Sequence, residues 1–222
     1  MTFRNKLRAW KHVIETAKIR YNIEATKLEW RRRNPNNYTF PATSLEWPSF
    51  PMDKVHVGNY SYGGLKVACY TGKEEGLYIG HFCSIATGTK FLLGGEHDTS
   101  HLSTYPFKDK FLSEPEAQSK GPIVLEDDVW IGENCLILSG ITLRRGTVVA
   151  AGSVVNRSTA PYSIVGGHPA KHIKYRFPSE IIEKLMTIDY SKLTAEKIID
   201  NEELLYSNID ETSIETIIQR LQ

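Results

Sequence analysis

The stretch "LEDDVWIGENCLILSGITLRRGTVVAAGSVV", residues 125–155, decides the fold. Every sixth residue in it is aliphatic: Leu125, Ile131, Ile137, Leu143, Val149 and Val155. The fourth residue after each of the first five is small or β-branched: Val129, Cys135, Ile141, Thr147 and Ser153. A period of six is neither the 3.6 of a helix nor the 2 of a lone strand. It marks a hexapeptide repeat, in which each six residues form one short flat face of a parallel β-helix and three faces make a coil of about 18 residues. The aliphatic side chain is expected inside the coil, with the smaller one near the same layer. Gly132, Gly140, Gly146 and Gly152 are expected at corners, where φ is often positive.

The same rhythm precedes this block. "IGHFCSIATGTKFLLGGE" (79–96) continues it, and "VHVGNYSYGG" (55–64) gives a weaker start with the aliphatic–glycine pair Val57–Gly58. Between the two blocks the period is lost. "GGEHDTSHLSTYPF" (94–107) carries His97 and His101 in a segment with no regular pattern, and Pro106, Pro115, Gly121 and Pro122 follow. Residues 97–120 are therefore read as a loop extruded from an otherwise continuous coil. Long loops inside compact domains are usually functional. The coil is then a scaffold, and the loop delivers a side chain.

Outward from the coil, residues 2–33 are expected to be helical. Phe3, Leu7, Trp10, Ile14, Ala17, Tyr21 and Leu28 fall on one stripe. Ten Lys/Arg against three Glu make the segment basic. The first expectation for it is a helix packed on the coil with a solvated basic face. The second is weak contact with an anionic membrane surface or glycan. Residues 38–54, with Pro41, Pro48 and Pro51, read as an irregular lead-in. After Pro178, "SEIIEKLMTI" opens on Ser179 as N-cap, and "TAEKIIDNEELL" and "ETSIETIIQRL" give further short helices. A coil of parallel strands ends in an unpaired edge, and these helices are expected to cover it. The organisation expected is thus 1–54 helix and lead-in, 55–177 coil with its loop, and 178–222 helical cap.

The totals narrow the function classes. The chain has 222 residues, 41% hydrophobic, with a net charge of +1, which excludes a predominantly electrostatic nucleic-acid binder. Its three cysteines, Cys69, Cys83 and Cys135, have no CxxC spacing and sit in apolar runs, so buried free thiols and a reducing compartment are expected. The charged N-terminus lacks the apolar core of a signal peptide, and no 18-residue apolar run is present. A cytoplasmic location is expected.

The repeats and loop, with "VGNYSYGG", "GGEH" followed by "STYPF", "DDVWIGENCLILSG", "VVAAGSVV" and "GGHPAK", resemble the left-handed β-helix acyltransferases. The nearest branch is similar to the xenobiotic acetyltransferases of chloramphenicol and streptogramins, which also includes O-acetyltransferases of surface polysaccharides. The resemblance covers about residues 55–177. It implies a mainly β, left-handed parallel β-helix and an acetyl-CoA-dependent O-acetyltransferase, with no metal required. It also implies a homotrimer whose active sites lie between subunits. Three departures stand out. Ser100 occupies a position where an aspartate is frequent, and His168 replaces an asparagine in "GGNPAK". "TIDYSKLT" stands where drug-modifying members have a tryptophan-rich stretch. The last departure favours a carbohydrate acceptor, a surface polysaccharide or its precursor, over a drug.

By this resemblance His97 is the general base, a role an imidazole suits because it titrates near neutrality. His101 reads as a wall or surface side chain. The pantetheine arm is expected past Gly132–Glu133 and Ala150–Ala151, with Asn156 at a further contact, and Lys171 and Lys174 on the phosphates. Tyr60, Tyr62 and Asp98 are assigned to the acceptor side, although the tyrosines read equally as packed corner residues. Trp130 is expected at a subunit contact. No GxSxG elbow is present and Cys83 is expected inside the coil, so direct attack in a ternary complex is the mechanism implied. The competing readings are a drug O-acetyltransferase, a sugar N-acetyltransferase, a non-catalytic β-helix assembly module, and a metal site built from His56, His81 and His97.

Overall fold

Leu125, Ile131 and Ile137 all point into one buried interior, each from a different ladder of parallel strands. The computed structural model describes residues 3–70, 74–210 and 213–221. Thr2, the side chain of Phe3, and Glu211, Thr212 and Gln222 of the C-terminal segment lie outside the described part.

Three ladders make three faces. Face A runs through Tyr38–Pro41, Tyr62–Ala68, Ser84–Ile85, Trp130–Ile131, Val148–Val149 and Ser163–Gly167. Face B holds Val55–Val57, Leu77–Ile79, Ile123–Leu125 and Thr142–Leu143. Face C holds Lys90–Leu92, Leu136–Ile137 and Val154–Val155, and the strand Tyr62–Ala68 is long enough to serve it as well as face A. Trp130 pairs with Val148, Val124 with Thr142 and Leu136 with Val154, each pair eighteen residues apart. That register is the three-faced coil the six-residue period predicts. All six aliphatic positions are buried to 1% exposure or less, and so are Val129, Cys135, Thr147 and Ser153 to within 1%. Each buried aliphatic side chain contributes about 1.5–3 kcal/mol.

Across the loop the register is longer. Ser84 pairs with Trp130, Leu77 with Ile123 and Lys90 with Leu136, forty-six residues apart, twenty-eight more than one turn. The excess leaves the coil between faces C and B and returns there. It is not wholly irregular, since Phe107–Leu112 forms a short helix within it.

The corners are less uniform than the glycine pattern predicts. Gly140, Gly146 and Gly152 have positive φ, but Gly132 does not. Gly132 is required for a different reason: a Cβ there would lie 2.7 Å from the Ala151 backbone nitrogen on the next turn. Asn134 takes the left-handed conformation at this same corner, and Asp128 at the one before it.

The ends correct four expectations. Tyr38–Pro41, expected as irregular, is a strand parallel to Tyr62–Leu65; its Tyr-Thr-Phe run suits a sheet edge, and Pro41 lies at its end. The helix Phe3–Arg33 forms, but its predicted stripe does not pack on the coil. Leu7, Trp10, Ile14, Tyr21 and Leu28 are all more than half exposed, while Ile23 and Trp30 are buried. At about 100° per residue, Ile23 and Trp30 lie on the opposite side of the helix from that stripe. Trp30 donates from Nε1 to the Thr39 carbonyl at 3.1 Å and meets Phe50 edge-on at 5.2 Å, which pins the helix end to the first strand of face A.

At the other end, the coil is closed by a hairpin rather than by helices. Ser163–Gly167 turns back through the "GGHPAK" segment, and Ala170–Tyr175 pairs with it antiparallel. The helices Ser179–Leu185, Ala195–Asp200, Glu202–Leu205 and Ser213–Leu221 build a second core with Tyr162 and Phe82 beside the edge between faces B and A. Ser179 is the first helical residue and Pro178 the cap, without a side-chain cap bond. Arg145 joins the two cores: it donates to the Met186 and Ile188 carbonyls, both at 2.9 Å, and to Asp127 at 3.1 Å. Cys83 and Cys135 are buried free thiols, and burial pushes the Cys83 thiol up to about 12. Cys69 is half-buried, with its Sγ donating to Glu75. Among the described residues no helix is long and apolar enough to cross a membrane.

Replacing Arg145 by alanine is expected to cost roughly 2–3 kcal/mol, because it removes the donor to two carbonyls and takes from Asp127 its ion-pair partner in a mostly buried setting. Arg144→Ala, which removes an exposed ion pair to Glu126, is expected to cost under about 1 kcal/mol. Denaturant midpoints of the two variants check the contrast.

Candidate active site

The extruded loop is clamped at its root. Glu96 and Gln118 form an antiparallel bridge, and the Ser119 hydroxyl donates to the Leu93 carbonyl. Glu96 also reaches the coil: the Ser139 hydroxyl donates to its Oε1 at 2.5 Å, while its buried Oε2 has no partner. Just past this anchor His97 is exposed beside a cavity of about 230 Å³. Every residue lining that cavity lies between 97 and 118, among them Asp98, His101, Tyr105 and Glu116.

Asp98 does not orient His97. Its carboxylate accepts from the Ser100 amide at 2.8 Å and hydroxyl at 2.6 Å, and it pairs with His101 Nε2 at 3.6 Å. The Ser100 hydrogen bonds hold the Asp98 carboxyl below the usual carboxylate range. His101 is thus tied into the cavity wall and His97 is left free to face outward.

The predicted cofactor track lies on a different edge. Between faces A and C the backbone hydrogen bonds stack Ala86 on Gly132, Gly132 on Ala150, and Ala150 on Gly166. At about 4.8 Å per strand the four span ~14 Å of small side chains. Glu133 and Ala151 lie exposed in the adjacent column, and Gly152 donates to the Glu133 carbonyl at 2.7 Å. Asn156 is not on this edge: it is exposed at the corner after face C, two turns along from the root of the loop.

Lys171 lines a cavity of about 360 Å³ at the end of the coil, under the closing hairpin. Arg157, Ser158, Thr159, His172 and Tyr175 line it too, a set of cations, hydroxyls and an aromatic ring suited to a phosphate-bearing group. Lys174 is exposed and takes no part in that lining. Strict alternation along Ala170–Tyr175 would set His172 and Tyr175 on opposite sides. The pairing slips between them, with Lys174 opposite Ile164 but His172 opposite Val165, and the extra residue Ile173 puts both on the cavity side with their rings 4.5 Å apart. Arg157, His172 and Tyr175 were not singled out in the sequence; a bulge has no single-residue signature.

Of the predicted acceptor residues, Asp98 lines the His97 cavity, and the two tyrosines lie on the remaining edge and on face A. Tyr60 has a φ of 62° and stacks on Phe82 at 4.9 Å, and Phe82 in turn meets Tyr190 of the C-terminal cap. Tyr62 points outward from face A in the same ladder as Tyr38 and Trp130, all three exposed. Within one chain, neither tyrosine lines the His97 cavity. His56 stacks on Tyr78 at 5.1 Å, and His81 accepts from the Asn59 amide through Nδ1, so neither converges with His97. No group of three or more His, Cys, Asp or Glu among the described residues is placed to hold a metal.

Comparison with known proteins adds a family to this geometry. Residues 122–157 match the model for the hexapeptide repeat of succinyl-transferase. Over 139 residues the chain is 42% identical to a probable macrolide acetyltransferase of Lysinibacillus sphaericus, covering 59% of this chain and 77% of that protein. It is 38% identical over 130 residues to a chloramphenicol acetyltransferase of Klebsiella aerogenes, covering 55% of this chain and 62% of that one. The chain therefore spans about three fifths of the latter's length. Among solved structures, a hexapeptide-repeat acetyltransferase of Vibrio cholerae superposes with a TM-score of 0.52 at 25% identity, over 74% of this chain and 94% of that one.

Ser139→Ala removes the donor that ties the loop root to the coil and leaves both Glu96 carboxylate oxygens without a side-chain partner. A loss of about 1–3 kcal/mol is expected, with faster proteolytic cleavage within 97–118. An unchanged midpoint together with unchanged cleavage would mean that the backbone bridge alone holds the loop.

Proposed function

The chain belongs to the hexapeptide-repeat acetyltransferases, and on that premise we propose that it transfers the acetyl group of acetyl-CoA to a hydroxyl by direct attack, with His97 as general base. The observation that carries the reading is an imidazole exposed at a cavity, on a loop that the coil extrudes and clamps at its root.

An alcohol is a poor nucleophile until its proton leaves. His97 takes that proton as the oxygen bonds to the thioester carbonyl carbon, contributing about 10²–10⁴-fold. The C–S bond then breaks, and the imidazolium returns the proton to the departing thiolate. Cys83 offers no covalent alternative, being buried with its thiol pushed up to about 12. The pantetheine arm runs along the column Ala86, Gly132, Ala150 and Gly166, where small side chains admit close approach. Lys171, with Arg157 and His172, takes phosphate oxygens at the end of the coil. Asn156 and Lys174 lie off this path, which weakens their assignment as cofactor contacts.

One chain does not bring these parts together: the loop leaves between faces C and B, the small-residue column runs between faces A and C, and no column residue lines the His97 cavity. This supports a cyclic trimer of left-handed coils, in which the loop of one subunit meets the column of its neighbour. Tyr62 and Trp130, outward beside that column, then flank the acceptor or the subunit contact.

Two acceptor classes have support. The Lysinibacillus and Klebsiella relatives carry names of drug acetyltransferases, which favours a xenobiotic hydroxyl. The missing tryptophan-rich tail and the long basic N-terminal helix favour a carbohydrate. Thiol release from acetyl-CoA, measured across sugars, oligosaccharides, a macrolide and chloramphenicol, separates them. His97→Ala is expected to lower turnover on the best acceptor at least about a hundredfold; unchanged turnover removes His97 from the mechanism. Lys171→Ala is expected mainly to raise the KM for acetyl-CoA, and an effect confined to acceptor affinity would contradict its phosphate role.

A further inference from the structure

The helix Phe3–Arg33 has two apolar sides, and only one of them meets the rest of the chain. Trp30 docks on the first strand of face A, and Ile23 on the same side of the helix is buried. Successive residues turn about 100°, which sets Leu7, Trp10, Ile14, Ala17, Tyr21 and Leu28 on a stripe about 180° away, directed outward. Trp10 is 67% exposed and Tyr21 75%. With 31 residues at about 1.5 Å each, the helix is ~46 Å long, so the stripe runs well beyond the docked end.

Charge identifies what this stripe fits. Arg4, Lys11 and Lys18 flank it on one side and Lys6, Arg20 and Lys27 on the other. Residues 2–33 hold ten Lys/Arg and three Glu, a charge of +7; the whole chain totals +1, so the remainder carries −6. A second copy of the helix laid on the stripe brings a net charge of +7 against +7, which disfavours self-pairing. An anionic lipid interface meets every feature at once. The aliphatic residues and the rings of Trp10 and Tyr21 enter the headgroup boundary, and the Lys/Arg stems extend sideways to bring their charges to lipid phosphates. Each such cation adds about 1 kcal/mol of attraction. The acidic remainder is repelled by the same surface, which keeps the helix as the contacting element.

We propose that the outward stripe of the N-terminal helix, with its two basic flanks, docks the enzyme on anionic membrane surfaces. This does not rest on the acetyl-transfer reading. The test is co-sedimentation of the full chain with phosphatidylglycerol–phosphatidylcholine vesicles and with pure phosphatidylcholine vesicles, at low and high salt. Three proteins are compared: wild type, Trp10→Ser with Ile14→Ser, and Lys11→Glu with Lys18→Glu. Wild type is expected to bind the anionic vesicles, more weakly at high salt, and both variants to bind at least about tenfold more weakly. The altered side chains lie on the exposed stripe and its flank, so turnover on a small uncharged acceptor such as chloramphenicol should be unchanged. No binding of wild type to anionic vesicles overturns the proposal. So does undiminished binding by the Trp10/Ile14 variant. A smaller oligomer in that variant, by sedimentation velocity, also overturns it, because the stripe is then covered by another copy of the chain.

Discussion

Parallel strands that stack in register at one aliphatic side chain per face leave the coil almost no freedom along its axis. Leu125 lies on Ile79 and under Leu143, Ile131 on Ile85 and under Val149, Ile137 on Phe91 and under Val155. A residue added within a face would throw every later aliphatic side chain out of the interior. Extra chain is therefore accommodated only at corners, and it must come back to the corner it left. The twenty-eight additional residues of the loop satisfy that condition, closed by the bridge between Glu96 and Gln118 and tied to the next turn by Ser139. The same stacking leaves the corners in tight succession, so Gly132, packed against the Ala151 backbone, has no room for a side chain.

A rigid coil also keeps its three edges apart, and each has acquired a different chemistry. The edge between C and B carries the histidine loop. The edge between A and C carries the small-residue column. The edge between B and A carries charged and aromatic residues: Asp127, Asp128, Arg145 and the Tyr60–Phe82 stack, which bind the C-terminal helices. On the proposed mechanism a base and a thioester must lie within hydrogen-bonding and bonding reach of one hydroxyl. The stiffness that makes the coil a good scaffold works against one chain supplying both, and side-by-side packing of copies answers that with no change in the coil itself.

How much of this is legible in the sequence follows from the range of the forces involved. The period of six is a local repetition, and the interior positions read from it are buried as expected, from Ile79 to Val155. The break at His97 is visible because the period stops. What stays hidden depends on partners distant in the chain. The stripe from Leu7 to Leu28 has helical spacing, and spacing alone does not say which of two apolar sides meets the coil; Trp30 decides it by finding Thr39 and Phe50. Tyr38–Pro41 lacks the repeat and becomes a strand because Tyr62–Leu65 presents an edge. In the candidate site, Lys171 was reachable through a motif, while Tyr175 joins His172 at the cavity only through the slip at Ile173. Tyr60 reads from the sequence equally as an acceptor wall or a packed corner residue, because its contact with Phe82, twenty-two positions away, leaves no local signal.

The junction between coil and cap shows directional bonding taking over where burial is no longer enough. Arg176 donates to Asp128 at 2.7 Å and to the Gly146 carbonyl at 2.9 Å, and Arg145 joins Asp127 to the end of the helix Ser179–Leu185 and the turn after it. Burial nevertheless raises the Asp128 carboxyl despite the facing Arg176, and it raises the phenols of Tyr162 and Tyr190 as well. For Asp128 the cost of desolvating the charge exceeds what its partner returns, so this ion pair is a poor source of net stability. Its geometry is what it supplies. Apolar contact among Tyr162, Ile181 and Ile214 would tolerate several orientations of the cap, whereas two guanidinium groups bonded to named carbonyls and carboxylates tolerate one. Through Tyr190 and Phe82 that orientation is passed to Tyr60, held in a left-handed backbone conformation at the first turn of the same edge.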